Sequence, residues 1–243
     1  MYIFLEDNEF YKQTKEAAKK RKLKTITLFT IELGNKQKNK AEIEKFRKRK
    51  SELKPEKTAI KVILSSIDNS TTGTVNSLKQ ECDILIGQGG LNKVNRYFIE
   101  QTQIDILKDP HTTKYLPKTD FVHHFNSGLN HVLCQFAKEK DQAILSSLGS
   151  LQKSKSYFAA KDMGRINQNL KLTKKYKLVH IITLIAKQAS DIKNSVQYEA
   201  LISLFDATTE QKKQSATAIE TLLKTKEEEK SPNYITKQIR RIK

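Results

Sequence analysis

The sequence predicts an α/β protein folded as a TIM-like (β/α) barrel. Three observations carry that reading. Strand-like and helix-like segments alternate along most of the chain, the order that builds a parallel sheet covered by helices. Seven strand candidates can be counted between Tyr2 and Ile185. The chain is 243 residues long, close to the roughly 250 of a typical barrel and long enough to bury a core. An open doubly wound sheet is the alternative arrangement of the same elements.

The elements follow in order. Tyr2 to Leu5 is short and apolar. Glu9 to Arg21 places Phe10, Tyr11, Thr14, Ala17 and Ala18 at the spacing of one helix face, with Lys12, Lys15, Lys19 and Lys22 opposite. Thr25 to Leu33, Thr58 to Ser65 and Cys82 to Gly87 are rich in Ile, Thr, Leu and Phe and read as strands. Leu91, Val94, Tyr97 and Phe98 define a helix, and Gln103 to Leu107 a short strand. Leu129, Val132, Leu133, Phe136 and Ala137 define the next helix, followed by a strand from Gln142 to Leu148. Met163, Ile166, Leu170 and Thr173 mark a longer helix, and Val179 to Ile185 the last strand. Val196, Ala200, Leu201, Leu204 and Phe205 form one further helix face, and Ala216, Ile219, Leu222 and Leu223 another. Lys108 to Lys118 holds Pro110 and Pro117 without helical period, so the barrel is expected to be irregular there. The domain reading is one barrel over 1–223, with a basic insertion at 36–54 and a basic tail over 224–243.

Composition narrows the partners. Forty-five Lys and Arg face 27 Asp and Glu, a net charge of +18. Such an excess points to a polyanion, nucleic acid first and an acidic membrane surface second. A spanning helix needs about 20 apolar residues in a row. The apolar stretch from Leu178 to Ala186 is shorter and is broken by His180 and Thr183. The N-terminal apolar run has no basic region before it and reads as neither signal nor transit peptide. Cys82 and Cys134 are the only cysteines; both are expected reduced, and they are too few for a cysteine-built zinc site.

Catalytic patterns are weak. His123, His124 and His131 fall within nine residues, and imidazole is a good metal ligand. A barrel metallohydrolase, however, draws ligands from several strand ends. The other strand ends offer Glu6, Asp7, Glu32, Asp68 and Gln88, with no HxH or HxxEH spacing. Gly87-Gln88-Gly89-Gly90 lies between a strand and a helix, where amides can hold phosphate. It matches neither GxxxxGK[ST] nor GxGxxG and reads as a tight turn. Cys134 sits on the apolar side of its helix.

The basic clusters are the stronger signal: Lys12 to Lys24, Lys36 to Lys50, Lys171 to Lys177 and the C-terminal tail. Lys36 to Lys50 holds eight Lys or Arg against two Glu, and Lys171, Lys174, Lys175 and Lys177 have no acid among them. Like charges this close repel, and a polyanion relieves the repulsion. No aromatic platform of the RRM type is visible, which favours recognition of backbone and shape over base stacking.

Val94 to Asp105 (VNRYFIEQTQID), Gly128 to Cys134 (GLNHVLC), and Lys174 to Ile185 followed by Ser190 to Lys193 resemble, in that order, stretches of ribonuclease P protein component 3, the barrel-shaped archaeal and eukaryotic subunit of a tRNA-processing ribonucleoprotein. Val94 to Asp105 looks like the family's helix-then-strand segment. Gly128 to Cys134 looks like its GIDHVLA helix start. Lys174 to Ile185, followed by Ser190 to Lys193, looks like its final helix, strand and "SSA…DVR" loop. Here Leu184-Ile185-Ala186 replaces "SSA" and Lys193 the Arg. The co-linear order covers roughly Ile60 to Leu223.

The resemblance implies a barrel related to the polymerase and histidinol phosphatase superfamily without its metal ligands. It implies a protein that is not catalytic alone: an RNA cleaves the 5′ leader of precursor tRNA, and the protein holds that RNA in shape. The implied partners are the ribonuclease P RNA, precursor tRNA and protein component 2, with no membrane. The protein itself binds no cofactor on this reading, and Mg²⁺ is required by the RNA. The implied location is cytoplasmic for an archaeal protein, nuclear or nucleolar for a eukaryotic one. Arg96, Lys187, Lys193, Lys171, Lys174, Lys175 and His124 are the expected RNA-binding residues. Lys36 to Lys50, read as a basic loop or an exposed helix, and Lys237 to Lys243 are expected to be mobile electrostatic arms. A metal-dependent barrel phosphoesterase and a general structured-RNA-binding protein are the alternatives.

Overall fold

In a computed structural model, the described residues are 2–67, 69–112, 119–120, 122–149, 156–229, 234–236 and 239–240. Asp68 and residues 113–118 lie outside them. Eight strand segments form one parallel sheet: β1 (Tyr2–Glu6), β2 (Lys24–Leu33), β3 (Thr58–Leu64), β4 (Ile84–Gln88), β5 (Ile106–Lys108), β6 (Ala143–Ser147), β7 (His180–Thr183) and β8 (Ile185–Ala186). Their order runs β7-β6-β5-β4-β3-β2-β1-β8. Only Leu184 separates β7 from β8. The run His180–Ala186 therefore pairs with β6 through its first half and with β1 through its second, Phe4 opposite Ile185. That closes the barrel.

The helices are α1 (Tyr11–Lys20), α2 (Lys36–Leu53), α3 (Asn69–Leu78), α4 (Asn92–Gln101), α5 (His131–Glu139), α6 (Ser156–Lys175), α7 (Ser195–Ile202) and α8 (Thr209–Glu229). Alternate strand residues point inward or outward, and the core divides accordingly. Phe4, Ile26, Leu28, Ile84, Ile86, Leu145 and Ile181 fill the barrel. Phe29, Ile31, Ile60, Val62, Leu85 and Leu107 face outward under α2 to α5, meeting Phe46, Val75, Phe98 and Leu133.

α8 closes the N-terminal end of the barrel. Its Ala218, Ile219 and Leu223 join the inner cluster. Its charges meet the starts of strands: Lys226 lies 3.0 Å from Asp105, and Glu227 pairs with Lys57 ahead of β3. A domain limit at residue 223 therefore falls inside this helix and is corrected. Tyr234–Thr236 and Ile239–Arg240 pair antiparallel as a separate two-stranded sheet. Lys237, Gln238 and 241–243 lie outside the described residues.

The basic stretch Lys36 to Lys50 is not an arm or an insertion. It forms most of α2, the crossover helix between β2 and β3. Asn35 caps it by accepting from the Lys38 amide at 3.0 Å, and buried Asn39 accepts from the Gly34 amide at 2.7 Å. Phe46 is buried edge-on against Phe29, ring centroids 5.2 Å apart. Several of the positive charges are engaged: Arg49 with Asp7 at 3.0 Å, Arg47 with Glu81, Lys38 with Glu32. A charge-dense segment with two well-placed anchors is enough for a helix when the barrel supplies the other wall.

Two smaller expectations also change. α4 begins at Asn92, so Leu91 precedes it and is 53% exposed. α7 ends at Ile202, and its buried residues are Tyr198 and Ile202 with Phe205 beyond, leaving Val196 and Leu204 exposed. The helix Asn69–Leu78, in a Ser- and Thr-rich stretch, has no counterpart among the sequence expectations.

Candidate nucleic-acid interface

Barrel enzymes carry their chemistry at the C-terminal ends of the strands. Here that mouth holds paired charges. Lys61 donates to Glu6 at 2.6 Å, and Lys187 lies 3.4 Å from the other oxygen of Glu6. Lys108 donates to Gln88 at 3.0 Å and pairs with Asp109, which also accepts from the Ser147 amide at 2.7 Å. Burial pushes the Glu6 carboxyl up, but Lys61 and then Lys187 outweigh it and hold it below the usual carboxylate range. At Lys61 burial prevails over Glu6, lowering the ammonium's pKa. Among the described residues no three His, Cys, Asp or Glu side chains gather as a metal site. His123, His124 and His131 are all exposed. Burial raises the Cys82 thiol to about 12 and Cys134 to about 11, so neither is a reactive thiolate near neutral pH.

A different feature dominates the outer wall. A groove of about 910 Å³ lies among α4, α5, α6 and the loop ahead of α5. It gathers Arg96, His124 and Lys175 from three separate parts of the chain, with Lys93 beside them. Arg96 is on the exposed side of α4 and pairs with Glu100 at 2.8 Å. The Lys175 ammonium sits 5.7 Å from the centre of the Tyr176 ring, which also lines the groove. Lys171 and Lys174 are exposed on α6 but do not line the groove. Lys187 and Lys193 are elsewhere, on the loop after β8. Lys187 there meets Glu6, and Lys193 donates to the Ser190 carbonyl at 3.2 Å. The expected contacts thus split into a groove set, a helix-face set and a mouth set.

The groove is held by buried polar residues that carry no charge signal in the sequence. Asn95 is fully buried. It accepts from the Gly90 amide at 2.7 Å and donates to the carbonyls of Pro110 and Gly128, each at 3.0 Å. One side chain thereby ties the β4 turn to both ends of the irregular connection. That turn is the Gly-rich stretch: a Cβ on Gly89 would lie 2.9 Å from the Lys108 carbonyl oxygen, and Gly90 has φ 148°. Asn169 donates to the Ser127 carbonyl at 3.0 Å, and Asn130 caps α5 by accepting from Leu133 at 2.9 Å. Arg165, almost buried, bridges Asp120 and Asp162 at 2.9 and 3.1 Å. Burial pushes Asp120 up, but the Asn126 amide and Arg165 together hold it below the usual range. Asn95 lies inside the quoted VNRYFIEQTQID stretch, yet nothing in its type or spacing marks it as the tie.

No helix among the described residues is long and apolar enough to cross a membrane. No protein-family model matches the chain. Curated relatives do. The chain is 30% identical over 125 residues to ribonuclease P protein component 3 of Methanococcus maripaludis strain S2, covering 51% of this chain and 50% of that protein. It is 30% identical over 129 residues to the same component of Methanocaldococcus jannaschii, covering 53% and 51%. The aligned chain thus spans about half the length of these relatives. Among solved structures, a chain of the cryo-EM structure of archaeal ribonuclease P with mature tRNA superposes with a TM-score of 0.71 at 21% identity, covering 99% of this chain and 98% of that one. An amidohydrolase barrel follows at 0.51 and 7% identity, covering 78% and 47%. This chain is therefore similar in sequence, over about half its length, to ribonuclease P protein component 3, and over nearly all of its length its α/β barrel shares the fold of a chain of archaeal ribonuclease P.

Proposed function

We propose that the protein is the barrel subunit of ribonuclease P. It binds the catalytic RNA, neutralises its phosphates and holds it in the form that removes the 5′ leader from precursor tRNA. The observation that carries the reading is the agreement of fold over 99% of the chain with a chain of archaeal ribonuclease P bound to tRNA. The net charge of +18 supports it. So does the barrel mouth, whose lysines and acids are paired with one another instead of converging on an open position. On this reading the RNA supplies the catalyst and uses the magnesium, and protein component 2 is the neighbouring subunit.

Reconstitution tests it. The purified protein, incubated alone with labelled precursor tRNA in magnesium buffer, should leave the 5′ leader in place. Added to its cognate RNA and component 2, it should raise the cleavage rate. Leader removal by the RNA-free protein, or no stimulation of an RNA that is otherwise active, would overturn the proposal.

A further inference from the structure

We propose that the outer groove seats an unpaired RNA base, with Phe125 as the stacking surface. This rests on the RNA-binding part of the preceding reading and not on its catalytic partner. The sequence shows no aromatic run, but the fold brings Phe125 and Tyr176 to the wall of one groove from 51 positions apart. Phe125 is 40% exposed. It is nevertheless fixed. A Cβ on Gly164 of α6 would fall 2.7 and 2.8 Å from its Cε2 and Cζ, so the ring packs closely against the bare backbone of that glycine. The loop behind it is pinned through the Asn126 amide to Asp120 at 2.9 Å, and Asp120 is held by Arg165. A ring immobilised on one side and open on the other loses little freedom when it binds.

The surroundings select the occupant. Lys93, Arg96 and Lys175 stand on the walls against the single acid Glu100, with His124 on the loop and His131 at the start of α5. This is the pairing used for single strands, a positive wall for phosphate with an aromatic face for the base. At about 910 Å³ the groove is at the upper end of the roughly 300–1,000 Å³ that encloses small molecules. It suits a splayed nucleotide and not a duplex, whose bases are stacked inside. An acidic protein segment would use the cations but has no need of a fixed ring.

The chain contains no tryptophan, so Phe125→Trp in the full-length protein creates a single reporter. Titration with a single-stranded 12-nucleotide RNA should quench its fluorescence at the concentrations where a fluorescein-labelled copy of that RNA shows binding by anisotropy. Heparin, a polyanion without bases, should bind with no quench. Phe125→Leu, which keeps apolar bulk and loses the ring face, should weaken the single strand by about tenfold. It should leave heparin affinity and the melting temperature unchanged. Gly164→Ala, which displaces the ring from that close packing, should weaken the single strand in the same direction. Equal quenching by heparin, no quenching at saturating RNA, or unchanged RNA affinity in a folded Phe125→Leu protein would each overturn the proposal. Failure in this titration with normal stimulation of precursor-tRNA cleavage would remove the base site and leave the subunit reading. Quenching without stimulation would do the reverse.

Discussion

The barrel mouth and the outer groove are both rich in lysine, yet they use it in opposite ways. At the mouth the strand cations are buried and paired, Lys61 with Glu6 and Lys108 with Asp109 and Gln88, and the exposed Lys187 reaches back to Glu6. Their electrostatic energy is directed inward, and removing one partner leaves an isolated charge in a low-dielectric site. On the outer wall Lys93, Arg96 and Lys175 are solvated, and the Arg96–Glu100 contact is an exposed helix pair worth little by itself. Charge count alone therefore does not locate an interface. What separates the two regions is whether the protein has already supplied the anion.

Four experiments can break or sharpen that contrast. Lys61→Met leaves Glu6 only its longer contact with the exposed Lys187 and should destabilise the protein by about 2 kcal/mol in urea unfolding. Glu6→Gln with Lys61→Met should recover much of that loss, and neither should alter RNA affinity by more than about twofold. An RNA defect larger than the stability defect would show that the mouth faces RNA after all.

Acid should act on the layer beneath α6. His180 is fully buried between Ser146, 2.9 Å away, and Thr173, 3.2 Å away. Burial and then His111 push its pKa down to about 3. The unfolded state binds the proton below about pH 6.5 while the folded state resists it to about pH 3. Stability contributed by neutral His180 is thus full above pH 6.5 and falls by up to about 1.4 kcal/mol per pH unit beneath it. His180→Gln should flatten the pH dependence of the melting temperature between pH 6.5 and 4. An unchanged slope would mean that other groups govern acid unfolding.

Single Ala substitutions should divide the expected RNA contacts. Arg96 and Lys175 should each make the slope of log affinity against log salt shallower by roughly one unit, with stability moved by less than about 0.5 kcal/mol. Lys171, Lys174 and Lys193 should give the same fractional change only if RNA extends over α6 and the loop after β8. Lys187→Ala should give less, because Glu6 already neutralises it. Equal slopes for Lys187 and Lys175 would erase the distinction between mouth and groove. The smallest expected effect is Glu100→Gln. Releasing Arg96 from its neighbour should tighten RNA binding by about twofold at low salt, an effect that vanishes at high salt.

Much of the fold was legible because periodicity records burial. All seven strand candidates became strands, and the alternation of Ile26, Leu28 and Ile84 against Phe29, Ile31 and Leu85 follows the inner and outer faces. Where periodicity misled, a boundary was the cause. Leu91 and Val196 lie at or before the first turn of their helices, where a face has no phase. The basic stretch Lys36 to Lys50 misled differently. Its two anchors, Asn39 and Phe46, are too few to register as a pattern, and only the β2–β3 wall makes them sufficient. The site was less legible than the fold. Arg96, His124 and Lys175 were identifiable by type, but nothing in one dimension groups them or separates them from Lys187.

By itself, then, the sequence determined the α/β alternation, the barrel length, the positive charge and the residue types available to meet a polyanion. Those properties are local or additive: hydrophobic period reflects each segment's own two faces, and net charge is a sum. The tertiary structure decided which lysines are already spent on acids, that Asn95 joins the β4 turn to both ends of the β5–α5 connection, and that Phe125 lies open over Gly164. Each of these depends on distances between segments tens of residues apart. Such distances are set only when the barrel closes through His180–Ala186 and fixes every helix against its neighbours.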